Sequence, residues 1–252
     1  MPTGNVDVRR AGDRFCTIAA GSRSRHCFSF GPHYDPANTG FGPLVACNDE
    51  LLEPGGGYDP HRHADVEIVT WVVSGSLTHI DSVSGRRAIG PAGVQRLSAG
   101  SGVVHSEKAE SPTNGGQSGT VQATRFIQMW LTPDEPGGEP AYDQRLIEPE
   151  ALTSGYCVVA SGRPEHRSRG AIPIARAGAA LLARRLVEDQ SVSLPDADLL
   201  HLFVVRGAVE LDTGATLVEG DSARMRSAEQ VVVECRSPAE ILVWQLDEPL
   251  RL

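Results

Sequence analysis

The sequence predicts an all-β protein made of two similar β-units. Along most of the chain, short runs rich in valine, isoleucine, leucine and threonine alternate with glycine-containing turns. A segment rich in proline and glycine, TPDEPGGEPAYDQ at 132–144, interrupts this pattern, which then resumes. We therefore predict an N-terminal domain over 1–135, a linker over 136–148 and a C-terminal domain over 149–252.

The individual elements follow from the same pattern, in chain order. One stretch, EPEALT at 148–153, is predicted to be helical, and SPTNGGQSGT at 111–120 is predicted to be a mobile loop beside the functional site. The predicted strands of the first unit are VEIVTWVV (66–73), SLTHID (76–81), VQRL (94–97), VVHSE (103–107) and TRFIQMWL (124–131).

The second unit repeats the first. Residues 71–77 (WVVSGSL) correspond to residues 203–209 (FVVRGAV), each predicted to be a strand, a tight glycine turn and a returning strand. Downstream, IGPAGVQRLSAG corresponds to VEGDSARMRSAE, and FIQMWL corresponds to ILVWQL. Two copies of one β-unit are the expected result.

Composition excludes several classes of function. A net charge of -9 and the lack of a basic run argue against direct binding of nucleic acid. The beginning of the chain lacks an apolar signal region, and no apolar stretch reaches about 18 residues, so we expect neither secretion nor membrane spanning and predict a cytoplasmic protein. Lys108 is the single lysine beside 22 arginines, a ratio typical of GC-rich bacterial genomes.

The five cysteines predict neither disulfides nor a thiolate metal site. Their number is odd, they are far apart in the sequence and no two have CxxC spacing, so we expect them to be reduced. They are Cys16, Cys27, Cys47, Cys157 and Cys235.

Two short motifs, HRH at 61–63 and HSE at 105–107, predict a metal site. Residues two apart on a strand share a face, so each motif presents two possible ligands to the same side. Two such strands side by side would bring three imidazoles and a carboxylate to one point, which suits iron, copper, nickel or zinc. Four of the other histidines stand alone in the sequence and are interpreted as structural or surface residues: His26, His33, His166 and His201. His79 is interpreted as a core or surface residue, with a place beside the metal cavity as the alternative.

The same motifs resemble a known family. GGGYDPHRHADVEIVTWVVSG (55–75) is similar to the first cupin motif, and GPAGVQRLSAGSGVVHSE (90–107) resembles the second cupin motif in the form found in pirins. FSFGPHYDPANTGFGPL (28–44) and FIQMWLTP (126–133) resemble bacterial pirin-like proteins, so the likeness extends over nearly the entire chain.

The resemblance implies a bicupin, with two tandem antiparallel β-barrels of the jelly-roll type. The N-terminal barrel would hold the metal through His61, His63, His105 and Glu107. The C-terminal barrel would hold none, because alignment of the units places Ser193 and Pro195 at the first two histidines and VVECR at VVHSE.

Pirins use the glutamate of the HSE motif, whereas many other cupins use the position of Glu67. We predict Glu107 as the ligand, since it shares a strand face with His105, and Glu67 as a structural residue or a neighbour of the ligands. Pirins usually read HPHRGFE where this chain reads HRHADVE, so Ala64 and Asp65 replace an arginine and a glycine at the mouth of the substrate pocket.

The implied function is that of a quercetin 2,3-dioxygenase, which cleaves a flavonol or a related enol with O₂. Glu107 would loosen from the metal and accept the proton of the substrate hydroxyl. We expect one iron ion per chain, with nickel, copper, manganese, zinc or cobalt as alternatives, and a monomer. The alternative function is a non-catalytic, redox-sensing metalloprotein that binds a partner enzyme or regulator.

Overall fold

Antiparallel strands form nearly all of the regular structure. The computed structural model of the protein describes residues 6–110 and 122–248. These residues form twenty strands, one α-helix and two short 3-10 helices (Ala11–Asp13 and Pro164–Arg169), which confirms the all-β class. The loop predicted at 111–120 lies outside the described residues.

The strands up to the predicted linker and within it are β1 (Val6–Arg9), β2 (Phe15–Ala19), β3 (Ser22–His26), β4 (Leu44–Leu52), β5 (Gly57–His63), β6 (Glu67–Ser74), β7 (Leu77–Asp81), β8 (Gly85–Ile89), β9 (Gly93–Ser98), β10 (Val103–Ala109), β11 (Thr124–Leu131) and β12 (Ala141–Leu146). The later elements are α1 (Pro149–Ser154), β13 (Cys157–Ser161), β14 (Ile172–Pro173), β15 (Ala179–Leu186), β16 (Ser191–Ser193), β17 (Ala197–Leu211), β18 (Thr216–Val218), β19 (Ser222–Ala228) and β20 (Val232–Leu246).

The strands assemble into three sheets. A seven-stranded sheet has the order β12-β9-β6-β11-β4-β3-β2, and a four-stranded sheet has the order β5-β10-β7-β8. The nine-stranded sheet follows β1-β19-β17-β20-β15-β13-β14, with β16 paired to β20 and β18 paired to β17. Closure of these sheets into two barrels stays a prediction.

The sequence-based boundaries differ from the strand pairing at two places. The predicted linker contains β12, which pairs with β9 at the edge of the seven-stranded sheet. Strand β1 was assigned to the N-terminal domain, but it pairs with β19 in the nine-stranded sheet. The predicted helix is confirmed as α1, with a proline in its first turn.

The sequence pattern predicts a hairpin turn at Gly75, the glycine at the end of WVVSG, but the structure has no hairpin there. Strand β6 pairs with β9 and β11, whereas β7 pairs with β8 and β10, so Gly75 marks the point where the chain passes from one sheet to another. Its counterpart Gly207 lies inside the continuous strand β17. Both glycines have a φ of 76°, a left-handed conformation that favours glycine. The bend is therefore common to both units, although the strands that follow it join different partners.

The strand register corrects the alignment of the two units by two residues. In the first unit His63 pairs with Val103 and His61 with His105. In the second unit Ser193 pairs with Val232, the residue aligned with Val103, and Ser191 pairs with Glu234. Ser191 and Ser193, rather than Ser193 and Pro195, thus occupy the positions of the two histidines.

One hydrophobic core crosses the boundary between the two units. It includes the buried side chains of Trp71, Met129, Phe203 and Trp244. The Trp71 indole donates a hydrogen bond to the Glu240 carboxylate at 2.8 Å, so a buried polar contact also joins the units. No helix in the described ranges is long and apolar enough to cross a membrane.

Candidate metal centre

The HRH and HSE motifs lie on adjacent strands. Strand β10 pairs with β5 on one side and with β7 on the other, and His105 is directly opposite His61. The ring centroid of His61 lies 4.7 Å from that of His63 and 4.5 Å from that of His105. The strand geometry predicted from the sequence therefore brings the three imidazoles together.

The three imidazoles have nitrogen atoms free to bind a cation. One nitrogen of each lies within 4.8 Å of one nitrogen of each of the others. The Nε2 atoms of His63 and His105 are buried and have no hydrogen-bond partner among the described residues. His61 Nδ1 lies 2.7 Å from the carbonyl oxygen of Asp59, so it donates its proton there and leaves Nε2 as a lone-pair donor. Buried nitrogens without partners and an oriented tautomer fit a divalent transition metal.

Glu107 lies on the buried side of this cluster. One of its carboxylate oxygens, a ring nitrogen of His79 and a ring nitrogen of His105 all lie within 4.8 Å of one another. The two histidines of β5 are not part of this group. The amides of Gln95 and Gln128 donate hydrogen bonds to its two oxygens at 2.7 and 2.8 Å. Each oxygen has about two acceptor positions, so each keeps one for a metal or a proton.

Two aromatic side chains contact these amides on the side away from Glu107. The Tyr142 hydroxyl lies 3.0 Å from the Gln95 carbonyl oxygen, and the Trp130 indole donates to the Gln128 carbonyl oxygen at 3.1 Å. An ionised carboxylate only accepts hydrogen bonds, so each NH₂ group must point towards Glu107, and the Trp130 indole, which only donates, fixes the same orientation for Gln128. The site thus has an organised layer of support behind the carboxylate.

His79 and Asp81 of β7 extend the network. The His79 Nε2 atom lies 2.5 Å from the Asp81 carboxylate, and its Nδ1 atom lies 3.4 Å from His105 Nδ1 and 3.8 Å from Glu107. The Tyr142 ring stacks on the His79 ring. Burial lowers the pKa of His79, but the carboxylates of Glu107 and Asp81 outweigh that effect and raise it above the ordinary value.

The electrostatics of the cluster favour neutral imidazoles beside an ionised carboxylate. Burial and neighbouring histidines lower the pKa of His63 and of His105 to about 4. Burial raises the pKa of Glu107, but the imidazoles of His79 and His105 and the Gln128 amide lower it to a net value below the usual range. Neutral imidazole and ionised carboxylate are the forms that bind metals.

Access to the cluster is from the β5 side. His61 and His63 are half-buried, whereas His105 and Glu107 are each 2% exposed. The Trp130 ring packs edge-on against His63 and covers one side of it. A ligand entering the site would therefore meet His61 and His63 first.

Comparison with known proteins identifies the family. The family model named Pirin matches residues 7–131. A "putative quercetin 2,3-dioxygenase" of Mycobacterium tuberculosis is 41% identical over 248 residues, which is 98% of each chain. The chain is a member of the pirin family.

Further relatives of this pirin come from Escherichia coli. A protein named quercetin 2,3-dioxygenase is 29% identical, with 96% of this chain and 98% of that protein aligned. The crystal structure of the bacterial pirin YhhW in complex with nickel(II) superposes with a TM-score of 0.85 at 28% identity, covering 97% of this chain and all of that chain. A metal in a pirin of this architecture fits the donor set described above.

Glu67 of this pirin lies away from the imidazole cluster. Its carboxylate accepts hydrogen bonds from the Ser98 hydroxyl at 2.8 Å and from the Ala175 backbone N–H at 3.1 Å. Since Ala175 belongs to the second unit, Glu67 connects the two units. Its predicted place outside the ligand set, as a structural residue, agrees with these contacts.

The altered HRHADVE segment retains the conformation that a glycine would favour. Asp65, where pirins usually have glycine, has a φ of 53°, and its carboxylate accepts a hydrogen bond from the Gly137 N–H at 2.6 Å. Aspartate tolerates the left-handed region better than most residues. The replacement therefore keeps the backbone bend and adds a contact to the predicted linker.

Several residues around the ligands were not identified from the sequence. The preferred interpretation of His79 as an ordinary core residue did not place it beside Glu107, and Asp81, Gln95 and Gln128 were not singled out. The available signal for Gln128 was an amide within an otherwise apolar strand, FIQMW, whereas Gln95 stands beside Arg96 in VQRL and had no such signal. Such a residue requires a polar partner inside the protein.

Proposed function

We propose that this pirin is a metal-dependent dioxygenase of the quercetin 2,3-dioxygenase type, acting on a flavonol or a related enol. The observation that carries the proposal is a cluster of three convergent imidazoles with a buried, hydrogen-bonded carboxylate behind it and a half-exposed side in front. The names of the relatives in Mycobacterium tuberculosis and Escherichia coli support the same substrate class.

His61, His63, His105 and Glu107 are the proposed ligands. The metal, when bound, would supply Lewis-acid and redox chemistry for reaction of an enolate with O₂. Iron is the expected metal, and nickel is the main alternative because it is bound in the related YhhW structure. The proposal includes the two-barrel architecture, with the metal in the N-terminal barrel alone.

Glu107 is the proposed proton acceptor for the substrate hydroxyl. Its two oxygens are held by Gln95 and Gln128, so the carboxylate keeps a fixed position while one lone pair on each oxygen stays available. A fixed base needs little reorganisation when the proton moves. His79, supported by Asp81, would help to hold the negative charge of Glu107 in place.

The half-exposed face of the cluster is the proposed substrate entrance. Trp130 beside His63 offers an aromatic surface against which a planar flavonol ring could pack. The cytoplasm is the proposed location, and a monomer is the proposed state in solution.

Turnover of quercetin tests the proposal. The purified protein is stripped of metal and loaded in turn with iron, nickel, copper, manganese, cobalt or zinc, and O₂ consumption and carbon monoxide release are measured with quercetin. At least one loaded form should consume O₂ and release carbon monoxide without NADH or a flavin. Inert behaviour of every metal form towards quercetin and related enols would overturn the proposal. Metal-dependent capture of a defined partner enzyme would then favour the redox-sensing alternative.

A further inference from the structure

Two cysteines and a histidine that are distant in the sequence meet in the core. Cys27 follows β3, Cys47 lies in β4 and His201 lies in β17 of the other sheet. Their sulfur and nitrogen atoms all lie within 4.8 Å of one another, and all three residues are at most 3% exposed. The two cysteines are free, as expected from the sequence, but their separation in the sequence gives no sign of this proximity to each other and to His201.

The two cysteines are neighbours across paired strands. The β3–β4 pairing ends with His26 opposite Asn48, and the Cys27 N–H continues it with a hydrogen bond to the Cys47 carbonyl oxygen at 3.0 Å. Directly opposite residues on antiparallel strands have Cα atoms about 4.5–5.5 Å apart, within the range that a disulfide bridges. The backbone thus permits a bond between the two sulfurs.

Positive charge surrounds this thiol pair. All three guanidinium nitrogens of Arg14 are buried without a hydrogen-bond partner among the described residues. Arg224 lies beside the cluster and donates to the Cys27 carbonyl oxygen at 2.9 Å. A buried guanidinium without an acceptor is costly unless an anion lies nearby, and a thiolate at Cys27 would provide one.

The hydrogen bonding distinguishes the two sulfurs. Burial raises the pKa of Cys27, but the Cys47 thiol, Arg14 and His201 outweigh it and lower that pKa well below its ordinary value. Burial, the neighbouring Cys27 and Asp49 raise the pKa of Cys47 well above its ordinary value, although Arg14 opposes them. Burial also lowers the pKa of His201, so its imidazole is neutral when it contacts Cys27.

The same charges disfavour a metal at this position. A divalent cation bound by Cys27, Cys47 and His201 would lie against the guanidinium groups of Arg14 and Arg224. Such a site would bury two uncompensated positive charges even with both thiols ionised. Without a metal, a single thiolate at Cys27 leaves only one uncompensated positive charge.

Cys27 also borders an opening to solvent. It lines an open cavity of about 390 Å³ together with Arg9, Arg10 and Arg14. The cavity is large enough for a small peroxide to enter, and its wall carries both charges, with Asp7, Asp13 and Asp35 beside the three arginines.

We propose that Cys27 and Cys47 form an oxidation site, at which a peroxide converts the two thiols into a reversible disulfide. The Cys27 thiolate attacks one peroxide oxygen, the O–O bond breaks, and hydroxide leaves and takes the proton of the Cys47 thiol to form water. The Cys47 thiolate then attacks the Cys27 sulfenic acid, the S–S bond forms, and a second hydroxide leaves and takes a proton from solvent. In total the two thiols lose two electrons and the peroxide is reduced to two waters. A small thiol would reverse the reaction.

Peptide mass spectrometry of the full-length, metal-loaded protein tests this proposal. The reduced protein is treated with a few equivalents of hydrogen peroxide, denatured, alkylated and digested. We expect a peptide linked through Cys27 and Cys47, and its loss after dithiothreitol. The same link should form with diamide, which oxidises thiols without metal chemistry. Alkylation of both cysteines after either oxidant, with only the exposed Cys16 consumed, would overturn the proposal.

Variants separate the roles of the two sulfurs. Cys47→Ser should stop the reaction at a Cys27 sulfenic acid that dimedone traps, whereas Cys235→Ser, which removes another buried thiol, should behave as the wild type. Arg14→Gln should slow Cys27 alkylation about tenfold at neutral pH and move its pH profile upward, since one pKa unit changes the thiolate fraction about tenfold. If the protein binds one equivalent of zinc per chain and releases it only when Cys27 and Cys47 are modified, the cluster is a metal site and the proposal is overturned.

Discussion

The two β-units carry the same strand pair, but only the first carries the proposed metal ligands. In the first unit β5 pairs with β10 and places His61 opposite His105. In the second, β16 pairs with β20 and places Ser191 opposite Glu234. The pairing therefore does not depend on the histidines, and the proposed metal chemistry would depend on a few side chains attached to a shared framework.

The units also differ in how their strands are shared among sheets. The first unit sends β5, β7, β8 and β10 into a separate four-stranded sheet, whereas the second keeps the corresponding pairings in the nine-stranded sheet through the long strands β17 and β20. A separate small sheet gives the histidines of β5 one half-exposed side. This position suits a site that must admit a ligand.

Removing the imidazoles from the first unit should produce the largest effect. His61→Ala/His63→Ala leaves too few ligands for a stable site, so metal content should fall from about one equivalent to near zero while the circular dichroism spectrum is retained. The matched variant Ser191→Ala/Ser193→Ala changes the equivalent positions of the second unit and should keep its metal. Full metal content in the histidine variant, measured by elemental analysis, would contradict the assignment.

Substitutions of two buried glutamates of the first unit, Glu107 and Glu67, should have different effects. Glu107→Gln should lower kcat with quercetin by about 10²–10⁴, more than it lowers metal content, because an amide cannot accept the proton. Glu67→Gln should retain metal and turnover and lower the free energy of unfolding by about 1–3 kcal/mol, since it weakens contacts to Ser98 and Ala175. If Glu67→Gln loses its metal and Glu107→Gln does not, the wrong carboxylate has been assigned.

A smaller effect is expected from the amides behind the carboxylate. Gln128→Leu removes one donor to Glu107 and leaves the Trp130 indole without its acceptor, so metal affinity should fall about 10- to 100-fold in a competition titration. Gln245→Leu is the control in the second unit, where the amide donates to the Asp196 carbonyl oxygen near the surface. Equal metal affinities in the two variants would argue against a role for Gln128 in the metal centre.

The last comparison concerns the pH dependence of stability in the first unit. Burial raises the pKa of Glu50 to about 7. The folded protein therefore holds a proton there that the unfolded chain releases at lower pH, so this contribution to stability is full below about pH 4.5 and is lost as the pH rises through 7. Glu50→Gln should reduce the difference in unfolding free energy between pH 5 and pH 8, measured by urea denaturation. An equal difference in the wild type and in the Glu50 variant would contradict this assignment.

Local periodicity explains why much of the fold could be predicted. The strands at β6, β7, β9, β10 and β11 and the helix α1 follow from alternating apolar residues and from proline, and the convergence of the three histidines follows from their spacing on strands. The sheet assignment of β1 and β12 could not be predicted, because edge pairing depends on which strand edges the rest of the fold leaves open. The Cys27–Cys47–His201 cluster was missed for a related reason, since it needs contacts between sheets that no local spacing encodes.

The pairing of β1 with β19 has a consequence for the order of events during synthesis. Val6 pairs with Met225, so the first described strand must wait for its partner until most of the chain has left the ribosome. At about 5–20 residues per second, that wait lasts roughly tens of seconds. During this time the edge-forming segment VDVR remains unpaired and open to proteases and chaperones. Its docking is therefore a late event, one that joins the beginning of the chain to a strand near its end.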